Sequence, residues 1–114
     1  MSYQQAIEAA GCDVIEFKEF GSYQGEWLAL VIHDGEVGII EGSYGSCPGC
    51  DAFEAEFGWE DPGAEKLKEF GETYLPALPI SHYITQFEKR VSDWEWDSEA
   101  KEMLDVIIGW SKNY

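Results

Sequence analysis

The spacing of hydrophobic positions changes character along this chain, from a short helical stripe to strand-like runs and back to helical periodicity. Residues 2–11 place Tyr3, Ile7 and Ala10 on one helical stripe, with Ser2 and Gln5 at capping-box spacing and Gly11 where a helix stops. Residues 13–20 mix β-branched and aromatic side chains with charge, the pattern of a strand with one solvated face. Trp27-Leu28-Ala29-Leu30-Val31-Ile32 is an unbroken apolar run, which predicts a central strand covered on both faces. Asp34-Gly35 supplies a two-residue turn, and a third strand follows from Val37 to about Tyr44. A turn of that length pairs His33 with Glu36, Trp27 with Gly42 and Gly25 with Tyr44 in an antiparallel meander.

The second half reads as helical. A brief helix over 51–57 ends before Gly58, and Asp61-Pro62 caps another that carries Leu67, Phe70 and Tyr74 on one stripe. Leu75-Pro76-Ala77-Leu78-Pro79 breaks that helix. Ile80, Ile84, Phe87, Val91 and Trp94 then give the clearest helical period in the chain. A last helix starting near Asp97 or Ser98 turns Ala100, Met103, Leu104 and Ile107 inward. These elements predict one α+β domain over residues 1–114: a three-stranded antiparallel meander packed on one face against C-terminal helices, with a short N-terminal helix closing an end. The expected core contains Trp27, Leu28, Leu30, Ile32, Ile39, Phe70, Ile84, Phe87, Val91, Leu104 and Ile107.

Charge narrows the function classes. Twenty-three acids against seven bases leave a formal net charge of -16, with no acidic tail. A surface that negative repels phosphate and anionic lipid, which disfavours direct binding to nucleic acid or membrane. Yet 45% hydrophobic and 15% aromatic residues are enough for a packed body, so the acids coat a fold instead of solvating a disordered chain. The first residues, Met1-Ser2-Tyr3-Gln4-Gln5, lack the basic and apolar regions of a secretory signal, and three cysteines make a poor disulfide framework. A cytoplasmic protein is expected.

The most distinctive stretch is Ser46-Cys47-Pro48-Gly49-Cys50-Asp51. Cys47 and Cys50 have the spacing of a zinc half-site, but a full site needs two more ligands, from Asp51, His82 or a helix carboxylate. The strand register sets His33 and Cys12 at the opposite end of the sheet, so neither joins them. A thiol-redox reading draws on a helix start beyond Cys47, which favours thiolate, while Asp51, Glu54 and Glu56 disfavour it. The motif also follows a hairpin strand instead of opening a βαβ unit. The simplest reading is a tight turn, with Gly42, Gly45, Pro48 and Gly49 bending the chain and small cysteines filling the space beneath. Such a turn can still be a recognition surface, and its expected partner-binding residues are Tyr23, Gln24, Tyr44, Asp51, Glu54 and Glu56.

Tyr44-Gly45-Ser46-Cys47-Pro48-Gly49-Cys50-Asp51-Ala52-Phe53, with Tyr23-Gln24-Gly25 and the apolar strand upstream, resembles a pattern in small uncharacterised proteins of bacteriophages and their bacterial hosts. The resemblance covers about a third of the chain. It implies a phage or prophage origin and transfers no catalytic residues.

Other constellations carry less. Asp93-Trp94-Glu95-Trp96-Asp97-Ser98-Glu99 has the alternation of a calcium loop, but Ser98 stands where glycine is required and Leu104 where a bidentate glutamate belongs. It reads instead as a helix connection with solvated acids and buried tryptophans. Pairs such as Glu54 and Glu56 or Glu69 and Glu72 are expected by chance in so acidic a chain. His33 and His82 have no nucleophile in evident reach, and no phosphate-binding loop is present. The expectation is therefore a non-enzymatic protein that engages a basic surface of a host protein, as an inhibitor that mimics nucleic acid in its sharpest form. The alternatives are a zinc or thiol-redox centre at Cys47 and Cys50, and a structural subunit of a larger assembly.

Overall fold

The structure is a computed structural model, and it describes residues 3–21, 25–45, 52–57, 63–94 and 97–114. The elements follow in the order α1 (Tyr3–Ala9), β1 (Asp13–Gly21), β2 (Gly25–His33), β3 (Glu36–Tyr44), α2 (Ala52–Phe57), α3 (Gly63–Glu72), α4 (Ile80–Asp93) and α5 (Ser98–Ser111). The strands form one antiparallel sheet in the order β1-β2-β3, so the α+β meander with a short N-terminal helix is the fold observed.

Turn chemistry sets the register. Asp34 and Gly35 both have positive φ, 52° and 79°, as a tight hairpin of the primed type requires. His33 then faces Glu36, Trp27 faces Gly42 and Gly25 faces Tyr44, each as the two-residue turn dictates. On the other side Asp13 faces Ile32 and Gly21 faces Gly25, with an irregularity between Val14 and Glu16 that leaves Ile15 as a bulge.

Because successive residues of β2 point to opposite faces, its apolar run feeds two cores. Leu28 and Leu30, with Phe20 and Ile39, pack against Tyr83 and Phe87 of α4 and Ala100, Met103, Ile107 and Trp110 of α5. Trp27, Ala29 and Val31, with Ile40, pack against Tyr3, Ala6 and Ile7 of α1 and Phe53 of α2, flanked by Phe70 of α3. The sheet is thus the middle of three layers. The expected covering of one face by C-terminal helices is correct for α4 and α5, but α1 does not close an end. It packs against α3 over the second face, and Gly71 makes that possible, since a Cβ there would lie 2.0 Å from the Ala6 carbonyl oxygen.

Of the expected core, Trp27, Leu28, Leu30, Ile39, Phe87 and Ile107 are buried, while Ile32, Phe70, Ile84, Val91 and Leu104 are partly so. Trp94 departs from expectation: it is 53% exposed, because α4 ends at Asp93 and Trp94 forms its C-cap outside the apolar stripe. The two tryptophans of the α4–α5 connection therefore are not both buried. Gly42 also departs, since it lies within β3, where a Cβ would come 2.3 Å from Cζ2 of the Trp27 indole. Its role is to admit that ring, not to turn the chain.

Candidate functional site

The Cys47 and Cys50 pair, with Tyr23, Gln24 and Asp51, lies outside the described residues. The structure does place what frames it. Tyr44 pairs with Gly25 across the strand ends, and its hydroxyl donates to the Phe20 carbonyl at 2.8 Å. Burial pushes the Tyr44 phenol up, with Glu19 and Glu99 adding to the shift. Half-buried against the Trp27 core, Tyr44 ties the ends of the three strands together. Beyond the loop, the α2 backbone is held by Phe53, whose N–H donates to the Tyr3 hydroxyl at 3.1 Å. Glu54 and Glu56 belong to this helix, and Glu56 is exposed.

Cys12 and His33 sit at the opposite end of the sheet, as the register requires. Cys12 is buried, and burial with the charges of Asp13 and Asp34 pushes its thiol up, away from the thiolate a reactive cysteine needs. His33 Nδ1 stands 3.7 Å from an Asp34 carboxylate oxygen. Among the described residues no group of three histidine, cysteine or acidic side chains is arranged to hold a metal, and no helix is long and apolar enough to cross a membrane.

A second cluster, which sequence reasoning missed, is built around Arg90 of α4. Its guanidinium grips Glu26 of β2 with two parallel hydrogen bonds, 2.9 and 2.7 Å, and its Nε donates to Asp97 at 3.0 Å. The other Asp97 oxygen accepts from the Ala100 N–H at 2.9 Å, capping α5. One cation therefore joins sheet, α4 and α5. The Ala100 N–H, joined by the Arg90 charge, holds the Asp97 carboxyl below the usual carboxylate range, and the hydrogen bond to Glu26 raises Arg90. The available signal was an arginine beside Phe87 on the apolar stripe of a helix otherwise flanked by acids.

Next to this network, Glu26, Glu41, Gly42, Ser43, Gln86 and Arg90 line an open groove of about 420 Å³ between the outer edge of β3 and α4. Glu41 is half-buried, and Gln86 Nε2 donates to it at 3.3 Å. Arg90, committed to Glu26 and Asp97, forms no ion pair with Glu41. Burial pushes the Glu41 carboxyl up, only partly offset by Gln86.

The carboxylates as a whole remain at the surface: every acid whose side chain is described is exposed or half-buried, and none is buried. Among the described residues, lysine and arginine pair with acids only in the Lys18–Glu16 contact and the Arg90 network. Comparison with protein-family models, with curated proteins and with solved structures finds no match.

Proposed function

We propose that this chain is a small non-enzymatic binding protein, of phage or prophage origin and working in the cytoplasm of a bacterial host, that engages a basic surface of a host protein. In its sharper form it inhibits a nucleic-acid-binding enzyme by setting carboxylates where phosphates would lie. The observation that carries this reading is the uncompensated coat: a net charge of -16 on a packed body whose described acids are mostly exposed, with few cationic partners. Such a field steers a basic partner over about a Debye length, roughly 8 Å at physiological salt, and gives an association that salt weakens. The fold supports contact over chemistry, since its internal polar network spends Arg90, Glu26 and Asp97 on joining elements.

Affinity capture from bacterial lysate at low and high ionic strength tests the reading. Basic proteins retained at low salt, released at high salt and displaced by duplex DNA are the expected result. Recovery of acidic or salt-insensitive partners alone would remove it.

A further inference from the structure

The groove beside Arg90 ends on a strand edge where, among the described residues, one outward-facing position is paired. In an antiparallel ladder the backbone N–H and C=O of alternate residues point away from the neighbouring strand. The two-residue turn makes His33 and Glu36 a hydrogen-bonded pair, so the outward-facing residues of β3 are Val37, Ile39, Glu41 and Ser43. The fold confirms this alternation at Ile39, which exchanges both bonds with Leu78, at 2.8 and 3.0 Å, where the α3–α4 connection crosses the edge. Toward Glu41 the position that would pair next is Pro76, which has no N–H to give, and toward Val37 it is Ile80, where α4 begins. At Glu41 and Ser43 no described residue bonds to the outward backbone groups.

We infer that the Glu41–Ser43 stretch of the β3 edge, beside the groove, is a strand-addition site for an extended lysine- or arginine-bearing segment of the partner, with Glu41 as the counter-ion for its basic side chain. The occupant follows from charge. Among the described residues that line the groove, Glu26 and Glu41 stand against Arg90, whose hydrogen bonds are directed to Glu26 and, beyond the groove, to Asp97. An added strand would supply N–H and C=O groups to Glu41 and Ser43, and its alternate side chains would fall on the Glu41 face and on the Gly42 face. The Gly42 face is apolar, since the Trp27 indole lies against Gly42, so basic and apolar residues should alternate in the segment. The outer edge of β1 is less suited to such pairing: it carries the Ile15 bulge and the exposed Lys18, two features that block edge association.

This inference rests on the proposed engagement of a basic partner and adds its address. The test uses the whole chain and a short capped peptide alternating lysine with valine, beside a counterpart alternating glutamate with valine. Binding is read by titration, and the contact by hydrogen exchange at individual amides. The lysine peptide should slow exchange at the Glu41 and Ser43 amides and leave Phe17 and Glu19 on β1 unchanged. Ser43→Pro removes an outward N–H that the β2 ladder does not use, and should weaken binding roughly tenfold. Glu41→Gln, which keeps the shape and the Gln86 contact region, should weaken it by a comparable factor and covers the case in which Ser43→Pro perturbs the strand. Salt-sensitive binding that ignores both substitutions and protects neither amide would overturn the strand-edge site while leaving the charged coat intact. Equal binding of the glutamate peptide, or no binding of the lysine peptide at low salt, would overturn both.

Discussion

Replacing Gly42 with alanine adds one methyl group at a place where the structure leaves no room for it. The new Cβ would lie 2.3 Å from Cζ2, 2.4 Å from Cε2 and 2.7 Å from Nε1 of Trp27. Those are atoms of a fused ring, not the tip of a flexible side chain. The ring cannot easily withdraw, because Trp27 is fully buried, with Phe17, Tyr74 and Tyr3 at centroid distances of 5.2, 5.2 and 5.4 Å. Overpacking of this kind costs about 1–3 kcal/mol. Against it stands the backbone gain of alanine over glycine in a strand, about 0.5–1 kcal/mol. The net is a destabilisation of about 1–2 kcal/mol, or a fall in Tm of roughly 4–8 °C for a domain of this size. Urea denaturation followed by circular dichroism reads it as a lower midpoint with unchanged slope. Trp27→Leu removes the obstructing ring atoms, so Gly42→Ala should cost less in that background, with a coupling of about 1 kcal/mol or more. Gly109→Ala on α5, where nothing stands within 4 Å of the new Cβ, should instead stabilise by up to about 1 kcal/mol. A neutral or stabilising Gly42→Ala, or a cost untouched by Trp27→Leu, would refute the packing argument.

Further expectations follow from the charges. The folded-state pKa of Glu41 is raised, mainly by burial, with Glu26 adding to the shift and Gln86, Arg90 and His82 opposing it. Protonated Glu41 therefore suits the fold, and the stability it contributes is present below the ordinary value of 4.5 and lost as pH rises through the raised one. Glu41→Gln should accordingly stabilise the protein at pH 7 and lose that advantage in acid, as thermal melts across pH would show. Asp97 has the opposite sign: its lowered pKa means the cap and ion pair are intact above the ordinary 3.8 and fail as pH falls through the lower folded value. Arg90→Met leaves Glu26 and Asp97 without their shared cation; because all three are part-exposed, the cost should be about 1–2 kcal/mol, measured by denaturation at neutral pH. Added sodium chloride should raise Tm at pH 7 by screening the net charge of -16, whereas a protein held chiefly by ion pairs would respond in the other direction. Elemental analysis of the purified chain beside Cys47→Ser and Cys50→Ser variants should find no stoichiometric metal; zinc or iron lost on substitution would establish the metal-centre alternative.

The features legible in the sequence are those fixed by local chemistry. Asp34-Gly35 dictated the turn, and the turn dictated every pair from His33–Glu36 to Gly25–Tyr44. The unbroken run from Trp27 to Ile32 signalled a strand covered on both faces, and both faces are covered. What escaped depends on contacts between segments distant along the chain. Nothing near Gly71 announces that its missing side chain lets α3 settle on the Ala6 carbonyl, so the placement of α1 was out of reach. Periodicity placed Trp94 on the α4 stripe, but a period does not show where a helix stops. The segment from Leu75 to Pro79 read only as a helix breaker, yet Leu78 pairs with Ile39 on the edge of β3. Arg90 and Glu26 are joined across a separation of 64 residues, and no spacing rule connects them. Of the expected partner-binding residues, Tyr44 anchors the strand ends and Glu56 faces solvent.

The charged coat is tested most directly by neutralising it without disturbing the fold. Glu65, Glu69 and Glu72 on α3 and Glu102 and Asp105 on α5 are all exposed, and their amide counterparts should keep the fold and melt cooperatively at a Tm no lower than that of the wild type. Retention of basic host proteins on immobilised wild-type and amide-substituted chains, followed across a sodium chloride gradient, is the decisive measurement. The account predicts that the substituted chain releases them at markedly lower salt than the wild type. Identical release profiles would show that recognition does not depend on the negative surface.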